Sequence, residues 1–106
     1  ISKPFKLRLT ETAEADLAEI WSYLAEEASE PMASDFLSQI QARFRQPSTF
    51  PLSGSPRPHL APNLRVIFHG KYAIYYLPRM DEIVIVRVLH GSRDIADIAD
   101  EGGFAV

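Results

Sequence analysis

Five of the chain's eight prolines fall between Pro47 and Pro62, together with Ser48, Ser53, Gly54 and Ser55. Proline fixes φ and has no backbone donor, so this stretch is predicted to be a loop, neither a helix nor a central strand. It is longer than a common connection, and so is either functional or pinned by its prolines. It divides the 106 residues into an early part with helical periodicity and a late part with strand periodicity.

Before the loop, Phe5-Lys6-Leu7-Arg8-Leu9 alternates apolar and basic residues, the period of a half-buried strand. Thr10 follows as a good N-cap, with Glu11 and Glu14 where the helix dipole favours acids. Ala13, Leu17, Ile20, Trp21 and Leu24 then form one apolar face, predicting a helix over 11–28. The acids Glu14, Asp16, Glu19, Glu26 and Glu27 mostly fall away from that face. Ser29-Glu30-Pro31 ends this helix and starts a second, carried by Phe36, Leu37, Ile40 and Phe44 and ending near Arg45 or Gln46. So short a link implies an antiparallel hairpin.

After the loop come three strand candidates: Leu64 to Phe68, Lys71 to Leu77 and Ile83 to Leu89. The last is β-branched enough to be central. His69-Gly70 and Arg79-Met80-Asp81 read as turns, Ile95 to Ile98 as one helical turn, and Glu101 to Phe104 as a loose tail. The expected fold is α+β. An N-terminal strand and an antiparallel helical hairpin precede a three-stranded meander, forming a mostly antiparallel sheet with helices on one face. One domain over 1–106 is expected, with 1–4 and 101–106 as loose ends. Ile1-Ser2-Lys3-Pro4 has no signal-peptide layout and no Met, and is expected to be a trimmed end.

The chemistry available is narrow. With no cysteine there is no disulfide framework, thiolate metal site or cysteine nucleophile. No apolar run approaches the roughly 18 residues of a membrane span. His59, His69 and His90 lack metal-ligand spacing, and the glycines form no phosphate-binding loop, so neither metal nor cofactor is expected. His90, Ser92 and Asp94 are triad residue types in no triad layout.

Charge is uneven. Residues 11–35 hold eight acids and no base, whereas residues 43–93 hold eight bases and two acids, within a net charge of −3. The basic part either faces an acidic partner or is simply solvated. Arg65, Lys71, Arg79, Arg87 and Arg93 interleave with Tyr72, Tyr75 and Tyr76, either as a partner surface or as tyrosines packed beneath solvated arginines. Arg87 to Asp94 reads either as a strand end with a glycine turn and an Asp cap, or as a polar cluster aimed at a partner. Trp21 lies in the core under its helix, or edges a groove filled by a partner.

Several segments together resemble the ParE branch of the ParE/RelE toxin superfamily of bacterial toxin–antitoxin modules, which includes plasmid stabilisation proteins. They are Leu9-Thr10 through Ala13, Ala15-Asp16-Leu17, Ile20 to Leu24, Phe50-Pro51, Gly54 to Pro58, Leu64-Arg65, Gly70 to Tyr76, and Ile85 to Asp94. The likeness spans about residues 5–98, and Arg87-Val88-Leu89-His90-Gly91-Ser92-Arg93-Asp94 is its most specific part.

The resemblance implies a bacterial cytoplasmic toxin that forms a hetero-oligomer with a neighbour-encoded antitoxin, ParD-like or other, and does not itself bind specific DNA sequences. It implies poisoning of DNA gyrase by binding. Arg87, His90, Arg93 and the tail from Asp94 are the expected target contacts, and a groove edged by Trp21, Arg65 and Tyr75 is the expected antitoxin site. The RelE-like alternative is a ribosome-dependent mRNA endoribonuclease, which requires Arg65, Arg87, His90 and Arg93 to converge. Against it, the ribonuclease arginine of that branch falls at Ala73, and residues 95–99 offer no tyrosine. A third reading is a degenerate, non-toxic module that still binds antitoxin.

Overall fold

Thr10 fixes where the first strand stops and the first helix starts. In the computed structural model, which describes residues 3–106, its N–H donates to the Ile85 carbonyl at 3.1 Å and its hydroxyl to the Val86 carbonyl at 2.9 Å. The same hydroxyl oxygen accepts the Ala13 N–H at 3.0 Å, as an N-cap does. Strand β1 (Lys6–Leu9) therefore ends on the sheet just as helix α1 (Glu11–Glu27) begins. Ser29 caps α2 (Glu30–Arg43) in the same way, accepting from Met32, with Pro31 in the first turn. The expected loose end at 1–4 lies partly outside the described residues.

The proline stretch is more ordered than its composition predicts. Residues Arg45–Thr49 form a short helix, α3, with Pro47 buried in its first turn, where a missing N–H costs nothing. Ser48 is tied to Phe5 by two hydrogen bonds, at 2.8 and 2.6 Å. Ser55–Pro56 forms a two-residue edge strand, β2, a place where proline is tolerated. Between them the Tyr76 hydroxyl donates to the Pro51 carbonyl and accepts the Gly54 N–H, both at 2.8 Å. Gly54 is obligatory there, because a Cβ would stand 2.6 Å from the Tyr76 ring.

Strands β3 (Arg65–His69), β4 (Tyr72–Pro78) and β5 (Glu82–His90) form the expected meander. The five-stranded order is β1-β5-β4-β3-β2, with only the β1–β5 pair parallel. A bulge breaks the β4–β5 register: Tyr75 opposes Arg87, but Tyr76 opposes Ile85. Val86 is the extra residue, and the alternation of side chains shifts there. Ile83, Ile85 and Val88 consequently pack with Leu17, Ile20, Ile40 and Phe44 under the helical hairpin. Val84, Val86 and Leu89 join Leu64, Val66 and Tyr75 on the opposite face.

The helical hairpin covers one face of the sheet, as expected. The other face is covered by a short helix, α4 (Ile95–Asp100), and by the tail. Residues 101–104, expected as part of a loose end, are thus docked on the sheet, and Ala105 and Val106 beyond them are exposed. Gly102 takes φ 74° and turns the chain back, and Phe104 is only 3% exposed, its ring 4.8 Å from that of Tyr75. An apolar sheet face that no long helix covers gains by folding the tail onto it.

Candidate functional site

β1 stops opposite Ile85, so the remainder of β5 has no strand on that side. The acid that α1 places there, Asp16, takes over. Its carboxylate accepts the Val88 N–H at 3.0 Å and clasps Arg87 through Nε at 2.8 Å and Nη2 at 2.9 Å. Asp16 is 6% and Arg87 9% exposed. The third arm of Arg87, Nη1, donates to the Gly103 carbonyl at 3.2 Å. Hydrogen bonds to Asp16 raise the Arg87 pKa further, so the guanidinium stays charged. Arg87 was expected to be a target contact. It is instead an interior clamp joining α1, β5 and the tail, because a lone arginine in a buried strand must find a buried acid.

The structure does bring His90 and Arg93 together. Both line a shallow recess of about 190 Å³, with Asp16, Glu19 and Tyr23 on α1. Arg93 is exposed and donates its backbone N–H to the His90 carbonyl at 3.0 Å, closing the turn after β5. The His90 Nδ1 accepts the Ser92 N–H at 3.0 Å, with the Ser92 hydroxyl at 2.8 Å, so the neutral ring carries its proton on Nε2. The lone pair a general base needs is thereby engaged within the turn. Asp94 accepts from Asp97 N–H and caps α4, so the segment expected to start the contact tail begins with a structural residue.

The recess continues into a groove of about 560 Å³ between the hairpin and the end of the sheet, bordered by Tyr23, Leu24, Phe36, Lys71, Tyr72 and His90. Phe36 and Tyr72 lie 5.4 Å apart between ring centres, and Tyr72 and His90 5.1 Å. Burial, and secondarily the nearby Tyr23 phenol, raises the Tyr72 pKa above its ordinary value, keeping it a neutral donor.

The expected Trp21, Arg65 and Tyr75 groove does not form. Trp21 binds the Ser34 hydroxyl across the hairpin at 3.1 Å. Arg65 opposes Tyr76 and holds the proline loop through the Leu52 and Gly54 carbonyls. Tyr75 is 5% exposed and points to the opposite face, against Phe104. Nor do Arg65, Arg87, His90 and Arg93 converge. Arg65 opposes Tyr76 whereas His90 opposes Tyr72, roughly 13 Å apart along β4.

Sequence reasoning missed two things. Asp16 reads in the sequence as one of the acids falling mostly away from the apolar face, although its spacing from Ala13 and Ile20 puts it on the buried face. The aromatic wall was missed because Tyr23, Phe36 and Tyr72 come from three elements. Among the described residues no group of metal-ligating side chains occurs, and no helix is long and apolar enough to cross a membrane.

Comparison with known proteins gives a consistent picture. The family model described as ParE toxin of type II toxin-antitoxin system, parDE, matches residues 7–95. Toxin ParE1 of Caulobacter vibrioides is 31% identical over 90 residues, covering 85% of this chain and 91% of that protein. Toxin ParE3 of the same organism is 29% identical over 87 residues, covering 82% and 87%. The fold is similar to a solved structure from the chromosomal ParDE TA system of P. aeruginosa, with TM-score 0.73 and 21% identity over 84% of this chain and 98% of that one.

Proposed function

The chain belongs to the family of ParE toxins of type II toxin–antitoxin systems, and from that premise we propose that it arrests growth by binding DNA gyrase and trapping cleaved DNA. It is neutralised in the bacterial cytoplasm by a neighbour-encoded, ParD-like antitoxin. The observation that supports a binding mode over RNA cleavage is that Arg65 and Arg87, two of the four groups that cleavage would need, are engaged away from His90 and Arg93. Arg87 is enclosed by Asp16, the His90 lone pair is engaged by Ser92, and Arg65 holds the proline loop. General acid–base cleavage of RNA needs a donor, an acceptor and charge on one phosphate, and a dispersed set cannot supply them together.

His90 and Arg93 are the target contacts in this reading, with Arg87 their support from below. A cationic surface also suits an acidic antitoxin segment, whose attraction is salt-sensitive. Induced expression in a bacterium carrying a DNA-damage reporter tests the reading, with total translation followed in the same culture. Arrest with early reporter activity and continuing translation is expected. Translation collapsing first, with the reporter silent, would replace gyrase by mRNA as the target. Undisturbed growth, with tight binding to the neighbour-encoded partner, would make the chain a non-toxic module.

A further inference from the structure

The groove beside His90 pairs an aromatic wall with Lys71, and Arg93 lines the adjoining recess that shares Tyr23, Tyr72 and His90 with it. We propose that it holds an unstacked nucleotide of single-stranded DNA, the base against Phe36 and Tyr72 and the phosphate at Lys71 and Arg93. This rests on the DNA-bound target proposed above and names what the toxin itself would touch there.

The size is right: about 560 Å³ is within the range of small-ligand pockets. Phe36, Tyr72 and His90 pack on one another, tilted by 58° and 86°, and this aromatic cluster forms one side of the groove. Tyr23, 59% exposed, stands on the α1 side as a further stacking surface. Every base offers a π-face, so such a wall accepts bases without reading sequence. Lys71 and Arg93 are exposed and make no ion pair among the described residues.

Glu19 borders the same recess as Arg93 and offsets part of that charge. Binding therefore leans on stacking more than on phosphate contacts. An acidic antitoxin segment drawn to the same cations would compete with the strand for this groove.

Fluorescence anisotropy of the purified toxin with a labelled oligothymidine tests this, alongside the matching RNA and duplex DNA. Single-stranded DNA is expected to bind in the micromolar range or weaker. Tyr23→Ala, at an exposed position, should weaken it by about fivefold or more, the lower end for one stacked base. Lys71→Ala combined with Arg93→Ala should flatten the log–log salt dependence by about 0.7, the contribution of one neutralised phosphate on a single strand. Circular dichroism confirms that the variants fold. Absence of strand binding by folded toxin, preference for duplex or RNA, or indifference to both variants would overturn the proposal. The assay contains no gyrase. Failure here with gyrase trapping intact removes the groove and not the target, and the reverse result removes the target and not the groove.

Discussion

Arg87 in the middle of β5 and Asp16 in the second turn of α1 lie 71 residues apart in sequence and meet in a forked ion pair, at 2.8 and 2.9 Å. Because Asp16 also accepts the Val88 N–H, one side chain both neutralises the buried cation and finishes a sheet edge that β1 leaves short. Breaking such a pair from either side leaves an uncompensated buried charge, at a cost of about 3–5 kcal/mol. Asp16→Ala and Arg87→Ala should each lower stability by that order in urea titrations. Asp16→Leu with Arg87→Met should recover part of it, since an apolar pair leaves no charge stranded although the Val88 N–H loses its acceptor. A double variant as unstable as the sum of the singles would contradict the clamp.

Growth arrest should separate the two arginines. Arg93→Ala removes an exposed side chain with no ion pair, so the melting temperature should hold while toxicity falls. Arg87→Ala should lose toxicity only as far as it loses folded protein. Arrest at full strength in a stably folded Arg93→Ala variant would remove that residue from the site.

Tyr76→Phe tests what holds the proline loop. It deletes one donor and one acceptor inside the fold and leaves the Gly54 N–H and Pro51 carbonyl without that partner. A loss of about 1–3 kcal/mol is expected. For a domain near 100 residues, each kcal/mol lowers the melting temperature by roughly 4–8 °C. An unchanged melting temperature would mean the loop is held elsewhere.

The tail should behave as part of the core. A Cβ on Gly103 would stand 2.4 Å from Ile98 Cγ2 and 2.7 Å from its carbonyl oxygen. Gly103→Ala should therefore cost about 1–3 kcal/mol, as overpacking does. Phe104→Ala should cost about 3–5 kcal/mol, the range for emptying a buried aromatic site. Rapid amide exchange over residues 98–104 in the parent would contradict a docked tail.

Alkaline stability follows from two phenols. Burial raises the pKa of Tyr72 and Tyr75 above the ordinary 10.0, so the folded state holds both protons more tightly than the unfolded. Their stabilisation is complete below the unfolded value and is lost as pH rises through the raised values. As pH rises past 10.0, a Tyr72→Phe, Tyr75→Phe variant should lose less urea resistance than the parent. Parallel curves would show that these phenols do not titrate with unfolding.

Where the chain is periodic or capped, its sequence reads directly into structure. Thr10 and Ser29 start helices as their chemistry demands, and the β-branched run from Ile83 is central as expected. The proline stretch misleads, since Pro47 sits where a helix accepts it and Pro56 where a sheet edge does. Phe104 reads as tail because nothing local announces the uncovered face it fills. At the site, His90 and Arg93 were legible from one short run. The partner of Arg87 was not, because it is set by where β1 ends. Trp21, Arg65 and Tyr75 edge no common groove because sheet register turns Tyr75 toward Phe104 and leaves Arg65 on the proline loop, and neither is local in the sequence.

The most direct test of the proposed mode of action is a cleavage assay with purified gyrase, supercoiled plasmid and ATP, stopped with detergent and protease. Linear DNA that rises with added toxin, and vanishes when the antitoxin is added first, is the result expected of a toxin that traps cleaved DNA. Plasmid fully supercoiled at every toxin concentration, while ribosome-bound mRNA is cut, would contradict it.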